Sequence, residues 1–228
     1  MLRTLLLSTA TLGLILGGNA MATEEPAFDL VGKFDHIEIR QYRPLIVAET
    51  VVEGDMGTAT NSGFRLLADY IFGNNLAPRA AGGGASEKIA MTAPVSVEPA
   101  PRSEKIAMTA PVSVEPASAG SGDSAGAVMQ AKRWRVQFTM PAAYSMATLP
   151  RPVNPAVTLR EVPGKRYAVL SFSGLAGEDK VQEKTDELLR WLKETRRTGI
   201  ATPQLARYNP PWTLPFLRRN EIWIEVKP

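Results

Sequence analysis

Few side chains in this sequence are suited to catalysis or metal binding. His36 is the single histidine, and the 228 residues include no cysteine. These counts exclude sites that need two imidazoles, thiolate nucleophiles and thiolate-bound metals. The stretch "SFSGLAG" lacks the Gly-x-Ser-x-Gly pattern of serine hydrolases, and the acidic residues are scattered as solvated side chains usually are. The sequence therefore favours a protein that is not an enzyme, although catalysis by carboxylates alone stays open at this point.

The overall composition is that of an ordinary globular protein. Apolar residues make up 44% of the chain and charged residues 21%, values close to the average for soluble domains. The net charge of +3 is small, and no dense run of lysine and arginine is present, so we expect no nucleic-acid partner. A chain of this length can bury a sizeable core as one domain.

The N-terminus has the three parts of a secretory signal peptide. Arg3 is the only charge before Glu24, an apolar run extends from Leu5 to Leu16, and Ala20-Met21-Ala22 offers a small-residue cleavage site. We predict that residues 1–22 are removed and that the mature protein is exported, with the periplasm as the expected compartment. An uncleaved N-terminal membrane anchor is the alternative. After cleavage we expect no stable membrane insertion.

The first half of the chain predicts strands followed by a helix. Residues 34–53 read as two strands around the turn Arg43-Pro44. A helix is expected next, with Thr58, Thr60 or Asn61 at its start and Gly73-Asn74 at its end. Its apolar stripe has helical spacing and consists of Phe64, Leu67, Ala68, Ile71 and Phe72.

A tandem repeat follows this helix. The segments Glu87–Ala100 and Glu104–Ala117 are identical and, with Ser86 and Ser103, give fifteen matching residues at a spacing of seventeen. In each copy the apolar residues alternate as in a strand, while Pro94 and Pro111 require an edge or a bulge. Only one copy can fill a given place in a sheet. We expect the second copy to fill it, because the Ser/Gly/Ala stretch 117–127 joins that copy directly to the strand predicted in "RWRVQFTMP".

The second half repeats the order of the first. Two strands flank Pro163-Gly164, a helix is predicted over "EDKVQEKTDELLRWLKETRR", and "PQLARY" and "NEIWIEV" read as two more strands. The order strand-strand-helix-strand-strand therefore occurs twice. The sequence predicts one α+β domain over residues 23–228, a pseudo-symmetric duplication with two helices packed on a curved sheet or barrel.

Five segments in sequence resemble the SOUL heme-binding protein family. They are "HIEIRQYRPLIVAET", "GFRLLADYIFGNN", "KIAMTAPV", "WRVQFTMP" and "ARYNPPWTLPFLRRNEIWIEV", so the resemblance covers residues 28–227. It implies a distorted antiparallel β-barrel with two helices. It also implies non-covalent binding of heme or another tetrapyrrole. This chain departs from the family pattern by carrying two copies of the "MTAPV" element at residues 86–117.

The resemblance also implies a site. Hydrophobic contact along the first helix points to Phe64, Leu67, Ala68 and Ile71, and Arg65 is the nearest base for a propionate. His36 is the one imidazole available as an axial iron ligand, but it shares its strand parity with Glu38 and Arg40, which favours a solvent-facing ring. For Arg218-Arg219 we expect a structural ion pair with Glu221 or a neighbouring strand.

Three functions are compatible with these features. Binding of heme or a related tetrapyrrole in an apolar pocket is the one that the resemblance implies. A promiscuous pocket for hydrophobic cations or other small apolar ligands is the second. The third is a protein-interaction module that uses an unpaired strand edge, for which the sequence names no partner.

Overall fold

The computed structural model describes residues 23–78, 84–100, 131–210 and 212–228. Residues 1–22, which contain the predicted signal peptide, and the second repeat copy, Glu104–Ala117, lie outside this part of the chain. In the described part, no helix is long and apolar enough to cross a bilayer.

Two helices pack against one curled antiparallel sheet. The elements, in chain order, are β1 (Phe28–Phe34), β2 (Ile37–Tyr42), β3 (Leu45–Glu53), α1 (Met56–Ile71), β4 (Asn75–Leu76), β5 (Val95–Pro99), β6 (Arg133–Thr139), β7 (Arg151–Pro152), β8 (Thr158–Val162), β9 (Arg166–Ser173), α2 (Glu178–Glu194), β10 (Gln204–Arg207) and β11 (Arg219–Glu225). A short 3₁₀ helix, Pro215–Leu217, precedes β11. This architecture confirms the predicted α+β distorted barrel.

The nine-stranded sheet has the order β1-β2-β9-β11-β10-β5-β6-β3-β8. Without the edge strand β1, this order is symmetric about the boundary between β10 and β5. The matching pairs are β10 and β5, β11 and β6, β9 and β3, and β2 and β8, and each pair has one strand from either half of the chain. Duplication of an ancestral unit is a prediction that this arrangement leaves open. Strand β1 was not predicted, because six of its seven residues are exposed and the sequence there has no clear alternation of apolar and polar residues.

Residues of the sheet alternate between two differently buried faces. Ile37, Ile39, Val136, Phe138, Leu170, Ile222 and Ile224 face the helices and form the main core with Leu67, Ile71, Leu188 and Leu192. Helix α1 lies very close to β6, since a Cβ placed on Gly63 would come within 2.5 Å of the Val136 side chain. The stripe predicted for α1 therefore closes the core with the exception of Phe72, which is the C-cap of the helix and is 62% exposed.

The start of α1 differs from the prediction. Asp55 is the N-cap, and its carboxylate accepts a hydrogen bond from the backbone N–H of Thr58 at 2.7 Å. The predicted caps Thr58, Thr60 and Asn61 all lie inside the helix. Ser, Thr and Asn residues near the start of a helix can lie inside the helix or at its N-cap. Only the backbone conformation shows which of these positions each residue occupies.

The first repeat copy, not the second, supplies the strand beside β6. Val95–Pro99 pairs with β6 on one side and with β10 on the other, so our expectation that the second copy fills this place is wrong. The strand is also shorter than predicted. Pro94 lies before it, Met91 is 37% exposed and Ile89 is buried in the core. Pro94 therefore marks the strand's start rather than an edge or a bulge within it.

Candidate ligand-binding site

The sheet face turned away from the helices carries a compact aromatic cluster. Tyr42, Tyr167 and Trp223 pack with ring centroids 4.8 to 5.8 Å apart, beside Val169 and Ala206. Burial raises the pKa of Tyr42 to about 12, even though the adjacent Arg40 opposes the shift. The phenols are therefore neutral at physiological pH and present this face as a largely apolar wall.

A buried ion pair lies next to the aromatic cluster. Glu221 is 1% exposed, and both its carboxylate oxygens lie 3.1 Å from Nη1 of Arg40. Tyr208 and Trp223 donate further hydrogen bonds to Glu221 at 2.6 and 2.7 Å. Burial is the largest single influence and lowers the pKa of Arg40, but Glu221, Tyr42 and Glu38 together raise that pKa above its ordinary value, so the guanidinium stays charged. With its oxygens engaged in this way, Glu221 stabilises the sheet rather than offering a free charge to a ligand.

The prediction for Arg218-Arg219 is half right. Arg219 forms an ion pair, but with Glu25 at 2.5 Å, and its guanidinium lies 3.5 Å from the ring centroid of Tyr208. The partner of Glu221 is Arg40, which is distant in sequence. Arg219 and Glu221 share a face of β11, but the Glu221 carboxylate is already engaged by Arg40, Tyr208 and Trp223.

A cavity lies where the turns after β2, β6 and β8 meet. We call it the apolar cavity; its volume is about 860 Å³. Most of its lining is aliphatic, proline or aromatic, and the charged lining residues are few. The apolar lining includes Pro26, Ala27, Pro44, Leu45, Ile46, Met140, Pro141, Ala142, Tyr144, Val162 and Pro163, and the charged lining consists of Glu24, Glu25, Arg43 and Glu161.

A second cavity adjoins the first on the sheet face that carries the aromatic cluster. We call it the polar cavity; its volume is about 610 Å³. The two cavities share Arg43, Leu45, Thr139, Val162 and Pro163. The polar cavity is bordered by the aromatic cluster, by four bases and by two acids, namely Arg43, Arg135, Arg160, Lys165, Glu98 and Glu225. Together they form one groove with an apolar and a basic part.

Arg43 is the base at this junction with the weakest internal pairing. Three other bases of the polar cavity are held by carboxylates: Arg135 by Glu98 at 2.8 Å, Arg160 by Glu49 at 2.8 Å and Lys165 by Glu225 at 2.6 Å. Arg43 lies 3.7 Å from Asp29, and both side chains are about 70% exposed. An exposed pair at this distance contributes little, so Arg43 can turn towards an anionic group in the groove.

Two further lining residues, Met140 and Tyr144, have side-chain atoms of the kinds that coordinate heme iron. Met140 is 4% exposed and carries a thioether. The phenol of Tyr144 donates to Glu87 at 2.7 Å, and this hydrogen bond raises the pKa of Tyr144. The phenol therefore stays protonated, whereas an iron ligand of this type is a phenolate. Within the described chain, no group of three or more His, Asp or Glu side chains is placed to hold a metal ion.

The residues predicted along the first helix are mostly part of the core. Leu67 and Ile71 are 0% and 1% exposed, Ala68 is buried, and half-buried Phe64 packs edge-on against Phe138. Arg65 is exposed on the helix surface. Of the residues described, none of these five lines either cavity of the groove. Their contact with a ligand remains a prediction.

His36 lies in the turn between β1 and β2 and not in the groove. Its Nδ1 is 2.9 Å from the Asp35 carboxylate, and its Nε2 is 2.5 Å from Glu187 of α2. Hydrogen bonds to Asp35 and then to Glu187 raise the pKa of His36. Both ring nitrogens have partners, so iron ligation would require this turn to rearrange.

Sequence reasoning missed the residues that line the groove. Arg43-Pro44 and Pro163-Gly164 were read only as turns, and Met140 only as part of the strand predicted in "RWRVQFTMP". Two proline turns at matching places in the two halves were the available signal. Their closeness in space is shown by the hydrogen bond from the Tyr42 N–H to the Lys165 carbonyl at 2.8 Å, and it depends on how the sheet curls.

Comparison with known proteins gives one family and a shared fold. The model of the SOUL heme-binding protein family matches residues 23–225. The structure of the EcmrR C-terminal domain is similar over 84% of this chain and 96% of that one, with 8% identity and a TM-score of 0.53. An uncharacterized conserved protein from Listeria innocua is similar over 84% of this chain and 92% of its own, with 9% identity and a TM-score of 0.50. No curated protein matches this chain.

Proposed function

Because the chain belongs to the SOUL heme-binding protein family, we propose that it binds heme or a related tetrapyrrole reversibly and without turnover, outside the cytoplasm. The observation that carries this proposal is the groove. A predominantly apolar cavity of about 860 Å³ opens, at Arg43, onto a cavity bordered by bases. A tetrapyrrole has the same division between an apolar ring and anionic carboxylates.

The residues present fit such a ligand. The volume of the apolar cavity lies within the roughly 300–1,000 Å³ of pockets that bind cofactors, which are mostly apolar with a few placed polar groups. Ile46, Met140 and Val162 would contact the ring and exclude water from it. When bound, heme would supply an iron centre whose properties depend on its axial ligands and surroundings.

The charges of the groove favour one orientation. Glu24 and Glu25 are already engaged, by the Ala142 N–H at 2.7 Å and by Arg219 at 2.5 Å, while Glu161 is exposed at the rim. Carboxylates of a ligand would be repelled by these acids and attracted by Arg43. We therefore place the two propionates at the junction of the cavities, with the ring in the apolar cavity.

Filling the apolar cavity tests its role directly. Ala142 lines the cavity and Ala143 does not, although both are exposed neighbours. In a hemin titration with protoporphyrin as control, Ala142→Trp should weaken binding at least tenfold, about 1.4 kcal/mol. Ala143→Trp should leave it unchanged. Equal affinity for both variants would show that the ligand does not occupy this cavity.

Reversing the charge of two arginines, one at a time, distinguishes a ligand bound in the groove from a ligand bound on the first helix. Arg43→Glu should weaken hemin binding by about 1 kcal/mol or less per carboxylate, because the contact is exposed, and Arg65→Glu should not change it. The reverse result, with both variants folded by circular dichroism, would place the ligand on α1 as the family resemblance implies.

The role of His36 is tested in the same titration. His36→Ala should leave hemin affinity within about threefold, less than 1 kcal/mol, with an unchanged Soret band. A collapse of hemin binding in a folded His36→Ala protein would identify His36 as the axial ligand and refute binding by hydrophobic contact alone.

The acids of the apolar cavity favour hydrophobic cations as a second candidate ligand class. Glu161→Gln removes a carboxylate from the rim, so it should strengthen binding of anionic protoporphyrin and weaken binding of a cationic dye. If the wild type binds dye and porphyrin equally well, the pocket is promiscuous. If it binds neither, an interaction module becomes the better description.

A further inference from the structure

Two loops at one end of the sheet display a cluster of exposed apolar side chains, which we call the apolar tip. Its members are Leu175 of the β9–α2 loop and Trp212, Leu214, Phe216 and Leu217 of the β10–β11 loop. Their exposed fractions are 62%, 82%, 56%, 69% and 61%. Five of the six most exposed large apolar side chains of the described chain belong to this tip. Their concentration at one place is therefore more than the scattered exposure of an ordinary surface.

The sheet brings the two loops together. Ser173 at the end of β9 pairs with Arg219 at the start of β11, so both loops leave the sheet at the same end. The Asn220 side chain donates to the Gly174 carbonyl at 3.0 Å, and Arg207 donates to the Ala176 carbonyl at 2.8 Å. Leu175 is thereby fixed on the same end of the molecule as the longer loop.

The longer loop is folded so that its apolar side chains point outward. The N–H of Leu217 donates to the Leu214 carbonyl at 2.9 Å, and the N–H of Arg218 donates to Pro215 at 3.0 Å. The Arg218 side chain donates to the Thr213 carbonyl at 2.7 Å. These bonds satisfy the backbone within the loop while the apolar side chains stay in water, which costs about 25 cal/mol for each Å². Such a display calls for a partner surface.

The charges around the tip suit an anionic surface. No acidic residue occurs between Asn209 and Asn220, and Arg218 and Arg219 follow the apolar side chains in the sequence, with Arg219 paired to Glu25 at 2.5 Å. Tryptophan and phenylalanine on a protruding loop, backed by arginine, are suited to the boundary between lipid headgroups and acyl chains. Within the described chain, none of the five tip residues lines either cavity of the groove, so the tip projects and does not enclose a small ligand.

We propose that the apolar tip docks on the surface of a lipid bilayer that contains anionic phospholipids. Trp212, Phe216 and the neighbouring leucines enter the interfacial layer, and the arginines lie at the headgroups. This contact is peripheral and involves no spanning segment. None of the five apolar side chains lines the groove, and the tip is linked to the groove through the ion pair between Arg219 and Glu25.

Sedimentation with lipid vesicles tests the proposal. The purified full chain, with its N-terminus checked by intact mass, is mixed with phosphatidylcholine vesicles with and without phosphatidylglycerol. We expect binding that requires phosphatidylglycerol and weakens as salt is added. The double variant Trp212→Ser/Phe216→Ser, in the same N-terminal form, should partition at least tenfold less. The control Phe72→Ser removes an aromatic side chain that is also 62% exposed but lies outside the tip, and it should bind like the wild type.

A second measurement reports the depth of Trp212. Brominated lipids quench tryptophan near acyl chains, and we expect quenching that is lost in Trp212→Phe. Vesicle binding that is the same in the double variant would overturn the proposal, as would equal binding to vesicles without phosphatidylglycerol. If sedimentation velocity shows a dimer that the double variant converts to a monomer, the tip is an interface between two copies and the membrane proposal is wrong.

Discussion

Arg40 and Glu221 show what a buried charge pair does in this sheet. Both side chains are below 10% exposed, and they connect β2 to β11 across the intervening strand β9. Buried pairs of this kind contribute little over an apolar pair, but removing one partner leaves an uncompensated charge. Removing one charge of the pair should therefore destabilise the fold more than removing both.

Loss of Arg40 alone is expected to be strongly destabilising. Arg40→Met should lower the free energy of unfolding by about 3–5 kcal/mol, because Glu221 stays buried with its charge unpaired. The double variant Arg40→Met/Glu221→Gln keeps the acceptor for Tyr208 and Trp223 and removes the charge, so it should lose clearly less in urea unfolding. A double variant as unstable as Arg40→Met would contradict this account.

His36 should make stability depend on pH. Its raised pKa means that the protonated ring binds the Asp35 and Glu187 carboxylates in the folded state. This contribution is fully present below the ordinary histidine pKa of about 6.5 and is lost as pH rises through the higher folded-state pKa. His36→Ala should therefore destabilise the protein near pH 6 by less than about 1 kcal/mol, since the pair is half exposed, and hardly at all near pH 9. Urea unfolding at both pH values tests this, and an equal loss at both would show that the ring acts through packing.

At the scale of elements, the repeat raises the question of which copy is needed. The first copy forms β5 with contacts on both sides, yet the second copy carries the same side chains in the same order. Deleting residues 87–103 should therefore leave a folded protein, because the second copy can supply the same strand. The deletion roughly halves the length of the loop between this strand and β6. Because a shorter loop costs less entropy to close, this change favours folding by about 0.6 kcal/mol. The free energy of unfolding should change by no more than about 1–2 kcal/mol.

The matched control removes residues 104–120, a deletion of equal length that keeps β5 as it is. A sharper version places Val97→Asp, at a position 1% exposed, in the full chain and in this deletion. The full chain should tolerate the carboxylate, since the intact second copy is available, and the deletion should unfold. Unfolding of the 87–103 deletion would instead show that the two copies are not interchangeable.

At the scale of the whole molecule, the residues that follow the predicted signal peptide line the groove. Residues next to the predicted cleavage site cross the apolar cavity: the Glu24 carbonyl accepts from the Ala93 N–H at 2.9 Å, and the Ala27 carbonyl accepts from Arg43 at 3.3 Å. Glu24, Glu25, Pro26 and Ala27 all line that cavity. Cleavage after Ala22 would thus place the new N-terminus beside the ligand.

Export should yield a mature protein that begins at Thr23. Intact mass and N-terminal sequencing of the exported form test this, because the signal peptide should be removed as residues 1–22. A full-length mass in the membrane fraction would show instead that the N-terminus is retained as an anchor. The same measurement defines the form of the protein that the vesicle experiments compare.

The sequence by itself determined the elements with clear periodicity and the kind of chemistry that is excluded. The stripe of α1, the helix α2 and the strands β6 and β11 could be predicted, because burial on one face imposes a local spacing on the chain. The counts of cysteine and histidine excluded whole classes of site. The order of five matching segments indicated the family and hence the fold.

Only the tertiary structure decided which residues meet. Arg40 finds Glu221, Arg219 finds Glu25, and Arg43 comes to the junction of two cavities through turns that are far apart in sequence. It also decided that the first repeat copy forms β5, a choice that identical side chains cannot encode. The physical reason is the same in each case: spacing along the chain fixes the face on which a side chain lies, whereas its partners depend on how the strands are ordered and how the sheet curls.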